Sequence, residues 1–251
     1  MAQDVTERKP NYLISMVCRS APLDCHVVAG SAPVVAFGDP TRAQVATLGI
    51  NPSRREFTDD DDRWLRGDSR RLATLESLGA VDCAELTDAQ IATVIDDCAT
   101  YFDRNPYRRW FDPLDRVLRD AAGVSYYDGT ACHLDLVQWA TDPVWTGLDD
   151  QARQTLLDDG VPHLRAQLGS EQVSVVVLNG RQVLDQVQAV GLADLDQVDG
   201  LPLGDGLCRL YAGAGSGIRW FGWSANLQGS WGVSNEFKTH LANWLSETIR
   251  R

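Results

Sequence analysis

The segment Thr-Leu-Gly-Ile-Asn-Pro-Ser at residues 47–53 sets one uncharged amide, Asn51, at the end of an apolar run, with Pro52 and Ser53 behind it. Pro52 fixes the turn geometry. An Asn side chain placed there can orient a water through its carbonyl oxygen without bearing a charge. Taken alone, these residues are read more simply as an ordinary Asn-Pro turn. Arg181 follows Asn179-Gly180 at a predicted helix start, where a guanidinium and a helix N-terminus together suit a phosphate. Arg54, Arg55, Arg63, Arg66, Arg70 and Arg71 cluster after Asn51, and Arg104, Arg108 and Arg109 form a second group. Such clusters are more often solvated faces than ligand sites, and the acid run Asp59, Asp60, Asp61 and Asp62 lies among the first. The four histidines (His26, His133, His163 and His240) form no metal-ligand pattern, and Cys18 with Cys25-His26 lacks a fourth ligand nearby. Residues 213–217 are Gly-rich but lack the Lys of a phosphate loop and read as a hairpin turn. Neither a metal nor a cofactor is expected.

The elements that must position these residues alternate. Strands are predicted at 33–37, 44–50, 132–139, 173–178, 207–211 and 218–223 from short apolar runs bounded by Gly, Asp and Pro. The run Val-Ser-Val-Val-Val-Leu at 173–178 is the mark of a strand buried on both faces. Helices are predicted at 87–101, opening on a Thr-Asp-Ala-Gln box, from Asn105-Pro106 onward, at 148–168, from Gly180 to Val190, and at 233–249. The alternation implies an α/β fold: a mostly parallel sheet with helices on both faces, three layers in all, and ligands at the carboxyl ends of the strands.

Composition narrows the function. The chain has 251 residues, 23% charged and 44% hydrophobic, so it can build a packed core. With 35 acidic against 23 basic residues, the net charge of −12 argues against a generic nucleic-acid coat or a polybasic membrane binder. Lys occurs only at Lys9 and Lys238, so 21 of the bases are Arg, the better residue for bidentate phosphate contact. No apolar run is long enough to span a membrane, and the polar start lacks a signal segment. Six scattered cysteines read as reduced thiols of a cytoplasmic protein.

The strand and loop TLGINPS resembles motif A of the uracil-DNA glycosylase superfamily, especially the mismatch-specific and single-strand-selective branches with Gly-Ile-Asn-Pro or Gly-Met-Asn-Pro. Further segments fall in the family's order: Asn105-Pro106-Tyr107 before an aromatic helix, the strand from Cys132 to Val137 in the place of the base-reading strand, residues 173–180 in that of a later core strand, and residues 222–230 in that of motif B, the DNA-inserting loop. The resemblance covers roughly residues 33–251; residues 1–32 read as an N-terminal extension packed on a single domain.

The resemblance implies a monomeric DNA glycosylase that flips a nucleotide out of the stack and hydrolyses its N-glycosidic bond, leaving an abasic site. Asn51 matches the water-positioning Asn. The base-reading position is most simply Asp135, with His133 the reader if the register is shifted by two. The family commonly has Asn here. A carboxylate accepts but does not donate, so Asp135 suits an exocyclic amino group over O4 of uracil, and a modified cytosine is favoured. A structural carboxylate is the competing reading. The family's His in motif B is absent, so Ser224 or Asn226 would have to assist the departing base. Leu227 and Gln228 are the expected wedge, Gly229 and Ser230 offer backbone N–H groups to phosphate, Arg54 and Arg181 are phosphate contacts, and Phe57 stacks on the extruded base unless it packs in the core. Repair and defence against phage DNA are both expected uses. A non-catalytic nucleic-acid binder of the same fold and a hydrolase of free nucleotides or nucleosides are the alternatives.

Overall fold

The computed structural model describes residues 9–170 and 172–250. The polar start, residues 1–8, lies outside them. The strands are β1 (Val45–Gly49), β2 (Ala131–Asp135), β3 (Val175–Asn179), β4 (Asp194–Leu203), β5 (Gly206–Gly215) and β6 (Ile218–Trp223). The helices are α1 (Asn11–Val17), the single turn α2 (Leu75–Leu78), α3 (Asp88–Ala99), α4 (Arg108–Ala122), α5 (Asp150–Ser170), α6 (Arg181–Ala189) and α7 (Asn235–Arg250). One six-stranded sheet has the order β2-β1-β3-β6-β5-β4. Its first four strands are parallel, while β5 and β4 run antiparallel at one side. Helices cover it in a three-layer α/β/α arrangement, with α4 packed on α7 and α1 on α3 and α5.

The physics of the central strands is plain in their residues. All five residues of β2 and of β3 are buried, as are the first four of β1, so these strands are largely apolar on both faces, with Thr47, His133, Asp135 and Asn179 the buried polar exceptions. The register sets Thr47 beside His133 and Gly49 beside Asp135, which carries the end of TLG directly to the end of β2. The box at the start of α3 forms: Thr87 accepts from the Gln90 N–H, and the Gln90 side chain accepts from the Thr87 N–H.

Two expectations are corrected. Residues 33–37 are buried but form no strand. Pro33 has no N–H to give, Val34 N–H goes to Gln138, and only Phe37 makes a bridge, to His133. In the other direction, β4 was not foreseen. Its sequence, Asp-Leu-Asp-Gln-Val-Asp-Gly-Leu-Pro-Leu, is largely exposed at the sheet edge, and it pairs with a β5 that runs on to Gly215. The turn then shrinks to Ser216-Gly217, both at positive φ, as tight hairpins require. No helix among the described residues is long and apolar enough to cross a membrane.

Candidate active site

The carboxyl ends of β1, β2, β3 and β6 open onto a cavity of about 640 Å³. It lies where β1 and β3 are neighbours while the chain leaves β1 toward β2 and β3 toward β6, the switch point at which parallel sheets hold ligands. Asn51, Pro52, Ser53, His133, Asp135, Arg181, Ser224, Asn226 and Ser230 all line it. Phe57, Arg54, Leu227, Gln228 and Gly229 do not.

Asn51 is held at a defined angle. Its Nδ2 donates to Thr141 Oγ1 at 3.1 Å and faces the carbonyl oxygens of Trp139 and Pro52 at 3.3 Å. Three acceptors around one amino group decide which way the amide points. Oδ1 makes no hydrogen bond among the described residues and remains an open acceptor at the cavity wall.

Asp135 ends β2 and is buried, and the side-chain partner of its carboxylate among the described residues is His133, with Nε2 3.5 Å from Oδ1. The orientation of the imidazole follows from the contacts behind it. Tyr126 Oη lies 2.6 Å from Thr47 Oγ1, which lies 2.7 Å from His133 Nδ1. These contacts anchor the imidazole through Nδ1 and turn Nε2 toward Asp135. Gly49 makes the arrangement possible. A Cβ there would stand 2.3 Å from Asp135 Oδ1 and 2.9 Å from His133 Nε2. Gly49→Ala is expected to cost about 1–3 kcal/mol of stability by overpacking and to displace both side chains. Chemical denaturation checks the first effect and ligand binding in the cavity the second.

Glu56 was not anticipated as a site residue. It lies in the polar stretch after Asn51, on the 3-10 turn Arg54–Glu56, yet it is 2% exposed and lines the cavity. Tyr101 Oη donates to its Oε2 at 2.5 Å. Burial pushes the carboxyl up to about 7, with nearby Asp135 adding to the shift and Tyr101 and Arg71 opposing it. Burial and the adjacent Glu56 hold the Tyr101 phenol well above its ordinary range, so it stays a donor. Between the ordinary value of 4.5 and about 7, Glu56 is neutral when folded and ionised when unfolded, so unfolding releases a proton and stability falls as pH rises. That contribution is complete below the lower value, lost by the upper one, and on the order of 3 kcal/mol. Urea denaturation from pH 4.5 to 7.5 should lose this slope in Glu56→Gln.

The loop after β6 is locked to the end of β3 through Asn179. Its Oδ1 accepts from Trp223 Nε1 at 2.9 Å and from Leu227 N–H at 3.1 Å, while its Nδ2 donates to Gln228 Oε1 at 2.7 Å. Gln228 in turn donates to the Trp110 carbonyl at 2.6 Å. The expected wedge is therefore corrected: Leu227 is buried and Gln228 is bound inward on both sides. The exposed apolar side chain of this loop is Trp231, at 78%. Ser224 and Asn226 differ in what they can offer. Ser224 Oγ accepts from Arg209 N–H at 2.9 Å. Asn226 Oδ1 accepts from Gln228 N–H at 2.9 Å, which leaves its Nδ2 as a donor on the cavity.

Two further expectations change. Phe57 is 1% exposed and packs edge-on against Trp64, because the 3-10 turn before it rotates it into the core. The arginines at the mouth are not bare. Arg54 is bound by Asp142 at 2.5 Å and by Asp62, Arg55 by Asp62 at 3.0 Å, and Arg181 by Asp185 at 2.8 Å and the Tyr211 hydroxyl at 2.9 Å. The rim is thus a set of ion pairs rather than a positive strip. Among the described residues, no group of three or more His, Cys, Asp or Glu is placed to hold a metal ion. A scan against models of known protein families and a search of curated proteins both return no match.

Proposed function

We propose that this protein is a monomeric, cytoplasmic DNA glycosylase that hydrolyses the N-glycosidic bond of a damaged or modified base, a modified cytosine before uracil, in repair or in defence against phage DNA. The observation that carries the reading is that an open amide oxygen, on Asn51, and a buried, nearly unpartnered carboxylate, on Asp135, face one cavity at the sheet's switch point. In this reading the flipped nucleotide enters with its base toward Asp135. The Asn51 oxygen holds a water against the anomeric carbon, and the C–N bond breaks through an oxocarbenium-like transition state. Asn226 Nδ2 assists the departing base, since the backbone N–H groups of Gly229 and Ser230, expected to be free, are both taken by the Asn226 carbonyl.

Trp231 takes the wedge role in place of Leu227, since it is the exposed apolar side chain next to Ser230 on the cavity wall. Trp231→Ala is expected to lower excision from duplex DNA about tenfold, the scale of one lost stacking contact, and to leave excision from single strands unchanged.

The paired arginines favour a second reading, a hydrolase of free nucleotides or nucleosides, which needs no bare basic strip. Abasic-site formation on duplex and single-stranded DNA carrying a panel of bases, beside base release from free nucleosides and nucleotides, separates the two. Asn51→Ala is the control that tells catalysis from simple binding. Base release from nucleosides alone would overturn the DNA reading.

A further inference from the structure

Two buried carboxyl groups, not one, open onto the cavity. Asp135 and Glu56 approach it from different elements, the end of β2 and the 3-10 turn after β1. Glu56 is fastened by one oxygen only: Tyr101 Oη donates to Oε2 and itself accepts from Tyr107 N–H at 2.8 Å. Oε1 makes no hydrogen bond among the described residues. The Tyr101 bond orients the group, because a phenol donating to Oε2 leaves Oε1 as the atom that carries a proton or meets a ligand. The charged and titratable groups around it are Asp135, His133, Arg55 and Tyr107, which line the same cavity, Tyr101, which donates to it, and Arg71, whose guanidinium is bound to the carbonyls of Arg55 and Asn105. No ion pair joins Glu56 to Arg71 among the described residues, so no salt bridge commits Glu56 to its ionised form.

Resting on the base-excision reading above, we infer that Glu56 is the general acid of this site: it protonates the ring nitrogen N3 of an amino-bearing pyrimidine, and the base is then held as a cation by the Glu56 carboxylate at N3–H and by Asp135 at the exocyclic amine. Each hydrogen bond has a donor on the base and an acceptor on the protein. The proton leaves Glu56 Oε1 for N3. The C1′–N1 bond breaks with its electron pair going to N1, so the base departs neutral rather than as an anion. The water held by Asn51 forms the new bond to C1′, and the proton it sheds returns through solvent to Glu56. A neutral leaving group needs less help at its oxygen, which accounts for a loop after β6 that brings Asn226 and no histidine to the cavity. Burial raises the Glu56 carboxyl to about 7, so the acid is loaded at and below neutral pH.

The test compares wild type with Glu56→Gln, which keeps an acceptor for Tyr101, using two readouts between pH 5 and 9. The first is single-turnover excision of cytosine-type bases from DNA. Wild type is expected to be flat below about pH 7 and to fall above it, and Glu56→Gln to be slower by about 100-fold without that fall. The second is the affinity of free cytosine for the intact protein, expected to weaken about tenfold per pH unit above 7 in wild type and to be weak and pH-independent in Glu56→Gln. Thermal melts establish that the variant is folded; if it is not, the wild-type profiles with Tyr101→Phe, which frees Oε2, decide alone by a shift of the same limb. Excision that proceeds with no limb near pH 7, or a limb that survives in Glu56→Gln, overturns the role of Glu56 and spares the glycosylase reading. Cytosine binding with the expected limb but no cutting of any DNA overturns the glycosylase reading and spares the proton transfer. Neither cutting nor binding overturns both.

Discussion

Asn51→Ala is expected to slow abasic-site formation by at least about 100-fold while changing DNA affinity by no more than about threefold, the pattern of a group that acts mainly in the transition state. The asymmetry comes from how the amide is held. Its amino group is used up on Thr141, Trp139 and Pro52, and only Oδ1 remains to meet a water. Truncation removes the water's acceptor and leaves the cavity otherwise intact, since neither Asp135 nor His133 contacts Asn51 by a hydrogen bond. Thr141→Val probes the same device from behind. It deletes one of the three acceptors that orient the amide, so the loss should be smaller, about tenfold, and should not be rescued by more substrate. Single-turnover kinetics on the preferred base measure both. Equal rates for wild type and Asn51→Ala would sink the assignment of water positioning to this residue.

What the sequence reveals divides along physical lines. β1, β2 and β3 are legible because strands buried on both faces are largely apolar, and the parallel-sheet rule then brings Asn51, Asp135 and Asn179-Gly180 to one end. Glu56 is illegible for the opposite reason. In a polar stretch beside Arg54 and Arg55 it reads as solvated, and the tyrosine that buries it is 45 residues away. Phe57 fails similarly: one 3-10 turn decides whether position 57 faces the ligand or the core, and nothing in the local pattern records that choice. The arginines look available in sequence because their partners are distant or loosely spaced, Asp142 being 88 positions from Arg54. Asp62, in the acid run that reads as a solvated loop, pairs with Arg54 and with Arg55 of the cavity wall, while Asp59 and Asp61 pair with exposed Arg63. The net charge of −12 thus acts locally as well as globally.

Asp135→Asn should reverse base preference, raising the ratio of uracil to cytosine-type excision by at least about 100-fold, because a site built around one hydrogen-bond pattern rejects the complementary one strongly. The surroundings dictate how the new amide would sit. His133 is anchored through Nδ1 by the contacts from Tyr126 through Thr47 and turns Nε2 toward this position, where an Nε2–H captures the Asn oxygen. Nδ2 is then left to face the cavity as a donor, which O4 of uracil accepts and the amino group of cytosine cannot. Gly49 leaves room for this exchange without shifting the strand, since the substitution is isosteric where a Cβ at Gly49 is not tolerated. Stability should rise as the preference reverses. The native side chain is buried with one side-chain partner among the described residues, at 3.5 Å, whereas the neutral amide costs less to desolvate and removes a carboxylate from beside Glu56, so a gain of about 1 kcal/mol or more is expected. A variant that is more stable and prefers uracil would mean that the chain keeps an unfavourable buried charge for what it recognises. A variant that is more stable with unchanged preference would reduce Asp135 to a structural acid and return the reading of the base to other groups on the cavity wall.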